Sequence, residues 1–432
     1  MKLSPDIEWK DSSEIKKFQE EQLRTALEYL MKHSVFYQEL FRRNSLKFSD
    51  IKSLEDLAKI PVTTKDDLFL RNDDFICVPK NKIIDYITTS GTLGDPVTFA
   101  MTDQDLDRLA YNECMSFKTC GVTEEDTIQL MTTIDRRFMA GLAYFLGARR
   151  LGAGIVRVGN GIPELQWDTI LRIKPSVIIA VPSFILKVIE YAENHGIDYQ
   201  NSSVRKAICI GEPLRNQDFS YSTLAEKILA KWDIELFSTY ASTEMSTAYN
   251  ECGHGRGGHE HPDLIITEFL DENNQAVGID EAGEITVTTL GVEGMPLLRF
   301  KTGDIAFRYE EQCSCGRKSL RVGPVIGRRK QMIKYKGTTL YPSALYDVLN
   351  DFADIDDYYI EVSTNLIGTD DILISILTSN TSTKFVKSLK DHFRAKLRVA
   401  PQINMVSKEL MLQKKYPETV RKPMTFIDLR KK

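Results

Sequence analysis

Residues 176–210 read SVIIAVPSFILKVIEYAENHGIDYQNSSVRKAICI, and this stretch decides the fold class. Two almost wholly apolar runs, 176–180 and 207–210, enclose a segment in which apolar residues recur at helical spacing from 183 to 194. Strands that are apolar along their whole length are typical of a parallel sheet covered by helices on both faces. The stretch therefore predicts a β–α–β unit.

The residues on either side extend this pattern. A strand at 127–132, a helix at 139–151 and a strand at 154–158 predict a second β–α–β unit upstream. From 263 to 308 the pattern changes to short strands of alternating polarity, which indicates a β-rich subdomain. These strands are predicted at 264–270, 284–289 and 295–301.

The last hundred residues mix helices with strands, and the stretch 323–329 is a plausible linker. The sequence therefore predicts a multidomain α/β protein. Residues 1–327 are expected to form a large N-terminal domain of doubly wound sheets plus the β-rich subdomain. Residues 328–432 are expected to form a small, mobile α+β C-terminal domain.

The overall charge restricts the choice of partners. Among 432 residues, 56 are Lys or Arg and 61 are Asp or Glu, so the net charge is −5 and no basic footprint indicates a nucleic acid. No apolar run reaches the length of a membrane span, and the first eight residues lack the apolar core of a signal peptide. We therefore expect a cytoplasmic protein with no membrane partner and no disulfide framework.

The segment 88–96, TTSGTLGDP, lies between two predicted strands. Small hydroxyl residues and glycines allow backbone N–H groups to approach a polyphosphate closely. The same residue types also form ordinary hairpin turns. The segment is not a Walker loop, because no Gly-Lys-Ser/Thr follows it.

Three further segments combine groups that suit a nucleotide. In 238–244, STYASTE, an aromatic ring stands beside hydroxyls and a carboxylate that could hold Mg²⁺. In 295–304, MPLLRFKTGD, a carboxylate follows what is predicted to be a Thr-Gly turn, where it could accept hydrogen bonds from two ribose hydroxyls. The third segment, 327–337, is basic. Taken alone, each segment is equally compatible with a turn, a helix cap or a solvated strand.

These four segments, in this order and at these separations, resemble the adenylate-forming superfamily of acyl-CoA synthetases. Within it the chain is similar to the phenylacetate–CoA ligase branch over nearly its whole length. The further matching motifs are SVFY at 34–37, LEDL at 54–57, TKDDL at 64–68, GEP at 211–213, MPL at 295–297 and CSCGR at 313–317.

The resemblance implies ATP and AMP as nucleotides, Mg²⁺ bound by Glu244, and coenzyme A as co-substrate. It also implies that Lys422 stabilises the charge that develops during adenylation and that Lys330 is a hinge. The implied nucleotide contacts are a phosphate loop of Ser90, Gly91, Thr92 and Gly94, an adenine turn of Gly211, Glu212 and Pro213, an adenine-stacking Tyr240, a phosphate-contacting Thr243, a ribose-binding Asp304 and the adjacent Arg328.

The implied enzyme is an acid–thiol ligase. It would activate a carboxylic acid, aryl-acetate-like or another, as an acyl-adenylate and transfer the acyl group to coenzyme A, with release of AMP and pyrophosphate. The sequence departs from the family at Leu93, Asp95 and Arg421. The departures at Leu93 and Arg421 keep open a nucleotide-binding homologue that transfers AMP or adenylates without forming a thioester. The identity of the acid and a homodimeric assembly are also left open.

Cysteines and histidines concentrate in two segments, 252–261 and 313–315. Three thiolates and one imidazole form a typical ligand set for tetrahedral structural Zn²⁺. Among His254, His259 and His261, the resemblance favours His259, which aligns with a Gly-x-His element of the branch. The predicted zinc ligands are Cys252, His259, Cys313 and Cys315; the alternative is free thiols with unrelated histidines.

The acyl group is expected to bind near 135–147, near 181–184 and beside the turn before Tyr240. Aromatic residues in these segments could line a pocket, although core packing is the usual role of such side chains. Arg136 and Arg137 are polar for a phenylacetate pocket. They could face solvent or bind an anionic substrate.

Overall fold

The computed structural model describes residues 3–89, 97–335, 338–364, 370–417 and 423–430. Described residues up to Val325, apart from 303–305, form one compact unit. Residues 303–305 and the described residues from Ile326 onward form a second. That these units correspond to the predicted domains 1–327 and 328–432 stays a prediction. No described helix is both long and apolar enough to cross a membrane.

The first unit combines helices with strands in the alternating order that the sequence predicts. Its α-helices are α1 (Ser12–His33), α2 (Val35–Arg43), α3 (Lys65–Leu70), α4 (Asp103–Thr119), α5 (Met139–Leu151), α6 (Pro163–Ile173), α7 (Pro182–His195) and α8 (Thr223–Leu229). Its strands are β1 (Ile83–Thr88), β2 (Thr98–Thr102), β3 (Thr127–Leu130), β4 (Gly154–Arg157), β5 (Val177–Ala180), β6 (Lys206–Ile210), β7 (Glu235–Ser242), β8 (Thr247–Asn250), β9 (Gly258–His259), β10 (Ile265–Leu270), β11 (Gly283–Thr289), β12 (Phe300–Ala306), β13 (Arg308–Tyr309) and β14 (Arg321–Val322).

A nine-stranded mixed sheet organises this unit, in the order β13-β14-β9-β8-β7-β6-β5-β3-β4. Strands β3 to β7 are parallel, whereas β8, β9, β14 and β13 are antiparallel to their neighbours. The chain passes from β3 to β4 on one side and then returns to β5 on the other side of β3. The carboxyl ends of β3 and β5 therefore form a topological switch point, where open α/β sheets bind their ligands.

Alternate residues of the parallel strands pack into two separate cores, one on each face of the sheet. Ile178 of β5 lies in a core with the buried Trp167 of α6. Its neighbour Ile179 lies in another core with Tyr144 of α5 and Phe237 of β7. Because both faces are covered, every residue of β5 is buried. The predicted α/β fold with a doubly wound sheet is confirmed.

Helices α1 and α2 are nearly continuous and are separated at Ser34, which adopts an extended conformation and whose hydroxyl caps α2 at the backbone N–H of Tyr37. One local prediction is wrong for an identifiable reason. The strand predicted at 295–301 begins only at Phe300 and continues to Ala306. Thr302 and Gly303 therefore lie within β12 and not in a turn. Gly303 has a φ of +84°, a left-handed conformation that accounts for the turn-like composition.

Strands β10 and β11 form an antiparallel ladder from Ile265↔Thr289 to Leu270↔Glu284. The first residues of β12 belong to the same unit, and Thr302 Oγ1 donates a hydrogen bond to the Ile285 carbonyl at 2.9 Å. This ladder corresponds to the predicted β-rich subdomain.

The second unit is a small α+β fold with its own apolar core, which includes Ile360, Ile374 and Phe393. Its helices are α9 (Pro342–Asn350), α10 (Thr383–Leu397) and α11 (Lys408–Lys415). Its strands are β15 (Gly327–Arg328), β16 (Ile333–Tyr335), β17 (Thr338–Leu340), β18 (Asp357–Thr364), β19 (Asp370–Leu377), β20 (Gln402–Met405) and β21 (Phe426–Asp428). Four of these strands pair in the order β20-β19-β18-β21, and Asp304 and Ile305 pair with Arg328 and Gly327 of β15.

Candidate nucleotide and metal sites

The predicted adenine turn and the predicted stacking tyrosine lie on neighbouring parallel strands. Gly211 directly follows β6, and Ile210 pairs with Thr239, the residue before Tyr240 in β7. Gly211 has a φ of +78°, and a Cβ built on it would meet no atom within 4 Å. The backbone of this turn is therefore accessible to a flat ligand at the carboxyl edge of the sheet.

The side chain of Glu212 makes structural hydrogen bonds at this edge of the sheet. Its carboxylate accepts hydrogen bonds from the backbone N–H and the hydroxyl of Ser183, both at 2.8 Å. Ser183 lies in the first turn of α7, where a negative charge is stabilised by unpaired N–H groups and the helix dipole. The side chain of Glu212 thus fixes the turn against α7, which leaves the backbone of Gly211 and Pro213 as the part that suits an adenine.

Tyr240 is half-buried, and one face of its ring stacks on Tyr249, with 5.8 Å between centroids and 27° between planes. Tyr249 is fully buried, and its hydroxyl lies 2.7 Å from Thr267 Oγ1. The stacking partner is therefore itself held firmly in place. This arrangement sets the orientation of the Tyr240 ring before any ligand binds.

Thr243 and Glu244 follow β7 in a tight turn, in which Ser246 has a φ of +49° and its N–H bonds to the Thr243 carbonyl at 3.3 Å. The Glu244 carboxylate is 12% exposed and lies 3.6 Å from Lys65 Nζ. A carboxylate at a mostly enclosed position suits Mg²⁺, which takes one or two carboxylates together with substrate phosphates. The contact with Lys65, at the start of α3, was not predicted from the sequence.

A second unpredicted contact braces the same strand. Arg215 Nε donates to both carboxylate oxygens of Glu251, at 2.9 and 3.1 Å, and the two side chains are only 12% and 4% exposed. Glu251 in turn accepts a hydrogen bond from the backbone N–H of Ser238 in β7 at 3.2 Å. The Arg215 guanidinium also lies 4.3 Å from the Tyr221 ring centroid. This pair joins the segment after the adenine turn to β7 and to the loop that begins at Cys252.

Several predicted residues lie outside the part of the chain that the structure describes: Ser90, Gly91, Thr92, Gly94 and Lys422, with the departures at Leu93, Asp95 and Arg421. The described residues on either side of the predicted phosphate loop, Thr89 and Val97, are hydrogen-bonded to each other. Thr89 N–H donates to the Val97 carbonyl, and Val97 N–H donates to Thr89 Oγ1, both at 3.0 Å. The hairpin of β1 and β2 therefore brings the two ends of the loop together.

In the second unit, the predicted ribose ligand Asp304 forms an ion pair with the predicted nucleotide contact Arg328. Arg328 Nε lies 3.2 Å from Asp304 Oδ1, across the pairing of β12 with β15. The Asp304 side chain is 12% exposed and that of Arg328 is 41% exposed. A carboxylate has several acceptor positions, so an ion pair with a guanidinium is compatible with hydrogen bonds from hydroxyl donors.

The four predicted zinc ligands come together within the first unit. Cys252, His259, Cys313 and Cys315 offer ligand atoms that all lie within 4.8 Å of one another. Cys252 Sγ is 3.7 Å from Cys313 Sγ, and Cys315 Sγ is 3.6 Å from His259 Nε2. Zn–S bonds of roughly 2.3 Å in a tetrahedron require sulfur atoms roughly 3.8 Å apart. The geometry of this cluster therefore fits the metal.

The backbone around the cluster explains its assembly. His259 lies in β9, which pairs with Arg321 of β14, and this pairing brings the 313–315 loop back to the imidazole. Gly316 has a φ of +94°, and its N–H donates to the Cys313 carbonyl at 2.8 Å, which closes a tight turn between the two cysteines. His261 lies outside the cluster, because its Nδ1 is 2.5 Å from a Glu8 carboxylate oxygen.

The electrostatic environment favours a thiolate at one corner of the cluster. Burial alone would raise the pKa of Cys315, but hydrogen bonds from His259 and from Arg317 lower it to about 5. Arg317 Nη1 lies 3.6 Å from Cys315 Sγ, and its Nε donates to Glu8 Oε2 at 2.6 Å. Burial lowers the pKa of His259, which favours the neutral imidazole that a metal requires. A group that hydrogen-bonds to a metal ligand, as Arg317 does to Cys315, holds that ligand in the orientation that metal binding requires.

The fold is that of an α/β protein with candidate nucleotide and metal sites, and comparison with known proteins identifies its family. The model of the AMP-binding enzyme family matches residues 17–293. The chain therefore belongs to the AMP-binding enzyme family.

The resemblance to phenylacetate–CoA ligases is also confirmed. The phenylacetate-coenzyme A ligase of Thermus thermophilus is 28% identical over 367 residues, which cover 83% of this chain and 80% of the relative. The enzyme of the same name from Escherichia coli is 27% identical over 83% of this chain and 81% of its own. A crystal structure of 2-hydroxyisobutyryl-CoA ligase with an acyl-AMP superimposes with a TM-score of 0.84 at 22% identity, over 98% of this chain and 91% of the other.

Proposed function

We propose that this chain is an ATP-dependent acid–thiol ligase. It activates a carboxylic acid as an acyl-adenylate and transfers the acyl group to coenzyme A, with release of AMP and pyrophosphate. The observation that carries the proposal is the carboxyl edge of the parallel sheet, where an accessible glycine turn, an oriented tyrosine ring and an enclosed carboxylate follow adjacent strands within the matched family region.

The nucleotide binds along this edge through groups that the structure orients. The backbone of Gly211 and Pro213 contacts the adenine, Tyr240 stacks on it, and Thr243 donates to a phosphate. Glu244 would hold Mg²⁺, and the ion would supply positive charge near the phosphates of the nucleotide. Glu212 contributes indirectly, because its bonds to Ser183 fix the turn.

The remaining nucleotide contacts are proposed from the sequence. Ser90, Gly91, Thr92 and Gly94 hold the phosphates that leave as pyrophosphate, and Lys422 stabilises charge on the reacting carboxylate and α-phosphate. Asp304 accepts hydrogen bonds from the ribose hydroxyls, and its ion pair with Arg328 is consistent with a contact from both residues to the same nucleotide. A small, mobile C-terminal domain that begins at 328 would carry Lys422.

Zinc is proposed as a structural metal on Cys252, His259, Cys313 and Cys315. The ligand spacing supports it, as does the low pKa of Cys315. Four protein ligands complete a tetrahedral shell, so the ion would have no open position for catalysis. Its role is to join the loop after β8 to the loop between β13 and β14.

The alternative of a homologue that transfers AMP without thioester formation is not favoured, because four relatives that match 79–83% of the chain at 25–28% identity are named as coenzyme A ligases. A fifth relative, which matches 91% of the chain at 21% identity, does not carry that name. A cytoplasmic location remains a prediction. The test of the first half-reaction is exchange of labelled pyrophosphate into ATP with a panel of carboxylic acids. Exchange that depends on an added acid supports the proposal, whereas exchange that no acid stimulates, in protein that binds ATP, contradicts it.

A further inference from the structure

A segment that is far away in the sequence packs against the loop that supplies two of the predicted zinc ligands. The carbonyl oxygen of Glu8 accepts hydrogen bonds from the backbone N–H groups of Lys318 and Ser319, at 2.7 and 3.2 Å. Residues 4–11 therefore lie directly against the loop of residues 313–319. The name segment 4–11 is used for these residues below.

The carboxylate of Glu8 is buried beside the metal-binding cluster, and its side chain is 2% exposed. Its Oε2 accepts a hydrogen bond from Arg317 Nε at 2.6 Å, and its Oε1 lies 2.5 Å from His261 Nδ1. Removing such charges from water costs free energy that their attraction often does not recover. Stability alone is therefore a weak reason to place this pair in the interior.

The guanidinium of Arg317 connects Glu8 to a metal ligand. Its Nη1 donates to Cys315 Sγ at 3.6 Å, and its Nη2 donates to Thr119 Oγ1 at 3.2 Å. The guanidinium carbon also lies 4.7 Å from the centroid of the Trp9 ring, which belongs to segment 4–11. The group is thus held from several sides, with one N–H directed at the sulfur atom.

The charge of a filled site explains why a guanidinium lies at this position. Three thiolates and a neutral imidazole around Zn²⁺ leave one net negative charge. Cys252, His259 and Cys313 are at most 4% exposed, so water screens that charge poorly. Arg317 supplies a positive charge directly beside the fourth ligand, Cys315.

We propose that Glu8 is a positioning residue of the metal centre, which holds Arg317 so that its guanidinium donates to Cys315 and compensates the charge of the ligand shell. Segment 4–11 is then part of the metal site. This inference rests on the proposed zinc site and extends it beyond the four ligands. The competing explanation is that Glu8 and Arg317 only fasten segment 4–11 to the rest of the protein.

The experiment measures zinc affinity at neutral pH by competition with a chromophoric chelator, on the full chain. The variants are Glu8→Gln, Arg317→Met and the two combined. Lys318→Met is the matched control, because Lys318 Nζ pairs with Asp11 at 2.6 Å and joins the same two segments with side chains that are 34% and 69% exposed. The melting temperature of each variant is recorded with and without zinc.

Arg317→Met should weaken zinc binding by about 10- to 100-fold, which is the usual effect of losing a partner that holds a metal ligand. Glu8→Gln should weaken it by a smaller factor, because the amide oxygen still accepts a hydrogen bond from Arg317. The double variant should bind zinc no more weakly than Arg317→Met, since Glu8 acts through Arg317. Lys318→Met should bind zinc as the wild type does.

Cobalt gives a readout that a purely structural role would not change. With Co²⁺ in place of zinc, the charge-transfer absorption from thiolate to metal depends on the hydrogen bonds that the sulfur atoms accept. Arg317→Met should shift this absorption to lower energy, because a thiolate that loses a hydrogen bond gives up an electron more readily. Lys318→Met should leave the spectrum unchanged.

Four outcomes overturn the inference. Unchanged zinc affinity in Glu8→Gln and Arg317→Met refutes it and leaves the zinc site intact, and if Arg317→Met does not fold, unchanged affinity in Glu8→Gln is sufficient. Variants whose melting temperatures fall equally with and without zinc have only a structural role, because the metal then stabilises them as it does the wild type. Additive losses in the double variant show that Glu8 does not act through Arg317. Wild-type protein that binds neither zinc nor cobalt refutes the metal site and this inference with it.

Discussion

The buried ion pair between Arg215 and Glu251 offers a quantitative test of how the nucleotide edge is held together. Arg215→Met keeps an unbranched side chain that can still pack on Tyr221, but it removes the bifurcated hydrogen bond from Nε to Glu251 at 2.9 and 3.1 Å and the bond from Nη1 to the Phe219 carbonyl at 3.1 Å. Glu251 is then left as a buried carboxylate without its counter-charge. Breaking a buried pair from one side costs about 3–5 kcal/mol in the free energy of unfolding.

The same chain provides a matched control. Arg172 and Asp168 lie 2.8 Å apart on α6, with side chains 76% and 48% exposed. An exposed pair of this kind is worth about 0–1 kcal/mol, because water and salt screen it. Arg172→Met should therefore change the free energy of unfolding by about 1 kcal/mol or less. Urea unfolding at pH 7, followed by circular dichroism and tryptophan fluorescence, measures both variants.

A double variant, Arg215→Met/Glu251→Met, separates loss of the pair from exposure of a lone charge. It should be less destabilised than Arg215→Met alone, because no unpaired carboxylate remains buried. The single variant should also raise KM for ATP, since Glu251 holds the backbone of Ser238, two residues before Tyr240. If Arg215→Met costs no more than Arg172→Met, the proposed brace has no energetic basis.

Three further predictions concern a buried carboxyl group, the adenylation lysine and the metal. Burial raises the pKa of Glu113 to about 8, so the folded protein keeps a proton there that the unfolded chain releases above about pH 4.5. The contribution of Glu113 to the free energy of unfolding should therefore fall by about 1.4 kcal/mol per pH unit from pH 4.5 to 8. Glu113→Gln should remove that slope in urea titrations at several pH values. Lys422→Ala should abolish acyl-adenylate formation but spare thioester formation from a supplied acyl-adenylate, and equal loss in both half-reactions would contradict its role. Elemental analysis of protein purified without metal-affinity resin should give one zinc per chain. The ion should bind more weakly at acid pH, because the thiolates become protonated. A zinc content near zero, with Cys313 and Cys315 both freely alkylated, would refute the site.

The sequence predicts the central sheet well because its strands are buried on both faces. The helix predicted at 139–151 has those bounds in the structure, and β5 and β6 lie within one residue of the predicted strands. Strand β12 was misplaced because Gly303 has a left-handed backbone inside a strand, and composition alone does not distinguish that from a turn.

The sites show the same division between local and long-range information. The meeting of Cys252, His259, Cys313 and Cys315 was predictable, since three cysteines and a histidine form a typical ligand set and the family resemblance favours His259; that the cluster binds zinc stays a prediction. The contacts of Glu244 with Lys65 and of Glu251 with Arg215 were not, because residues distant in sequence meet only through the fold. The side chain of Glu212 was assigned to the adenine turn from its motif, yet its hydrogen bonds go to α7.

The proposed reaction joins a carboxylic acid to coenzyme A at the expense of ATP. The most direct measurement incubates the purified protein with ATP, Mg²⁺, coenzyme A and an acid that supports pyrophosphate exchange, and quantifies every product by mass spectrometry. We expect acyl-coenzyme A, AMP and pyrophosphate in equal amounts. Formation of AMP and pyrophosphate with no thioester, or of ADP and phosphate in place of AMP, would contradict it.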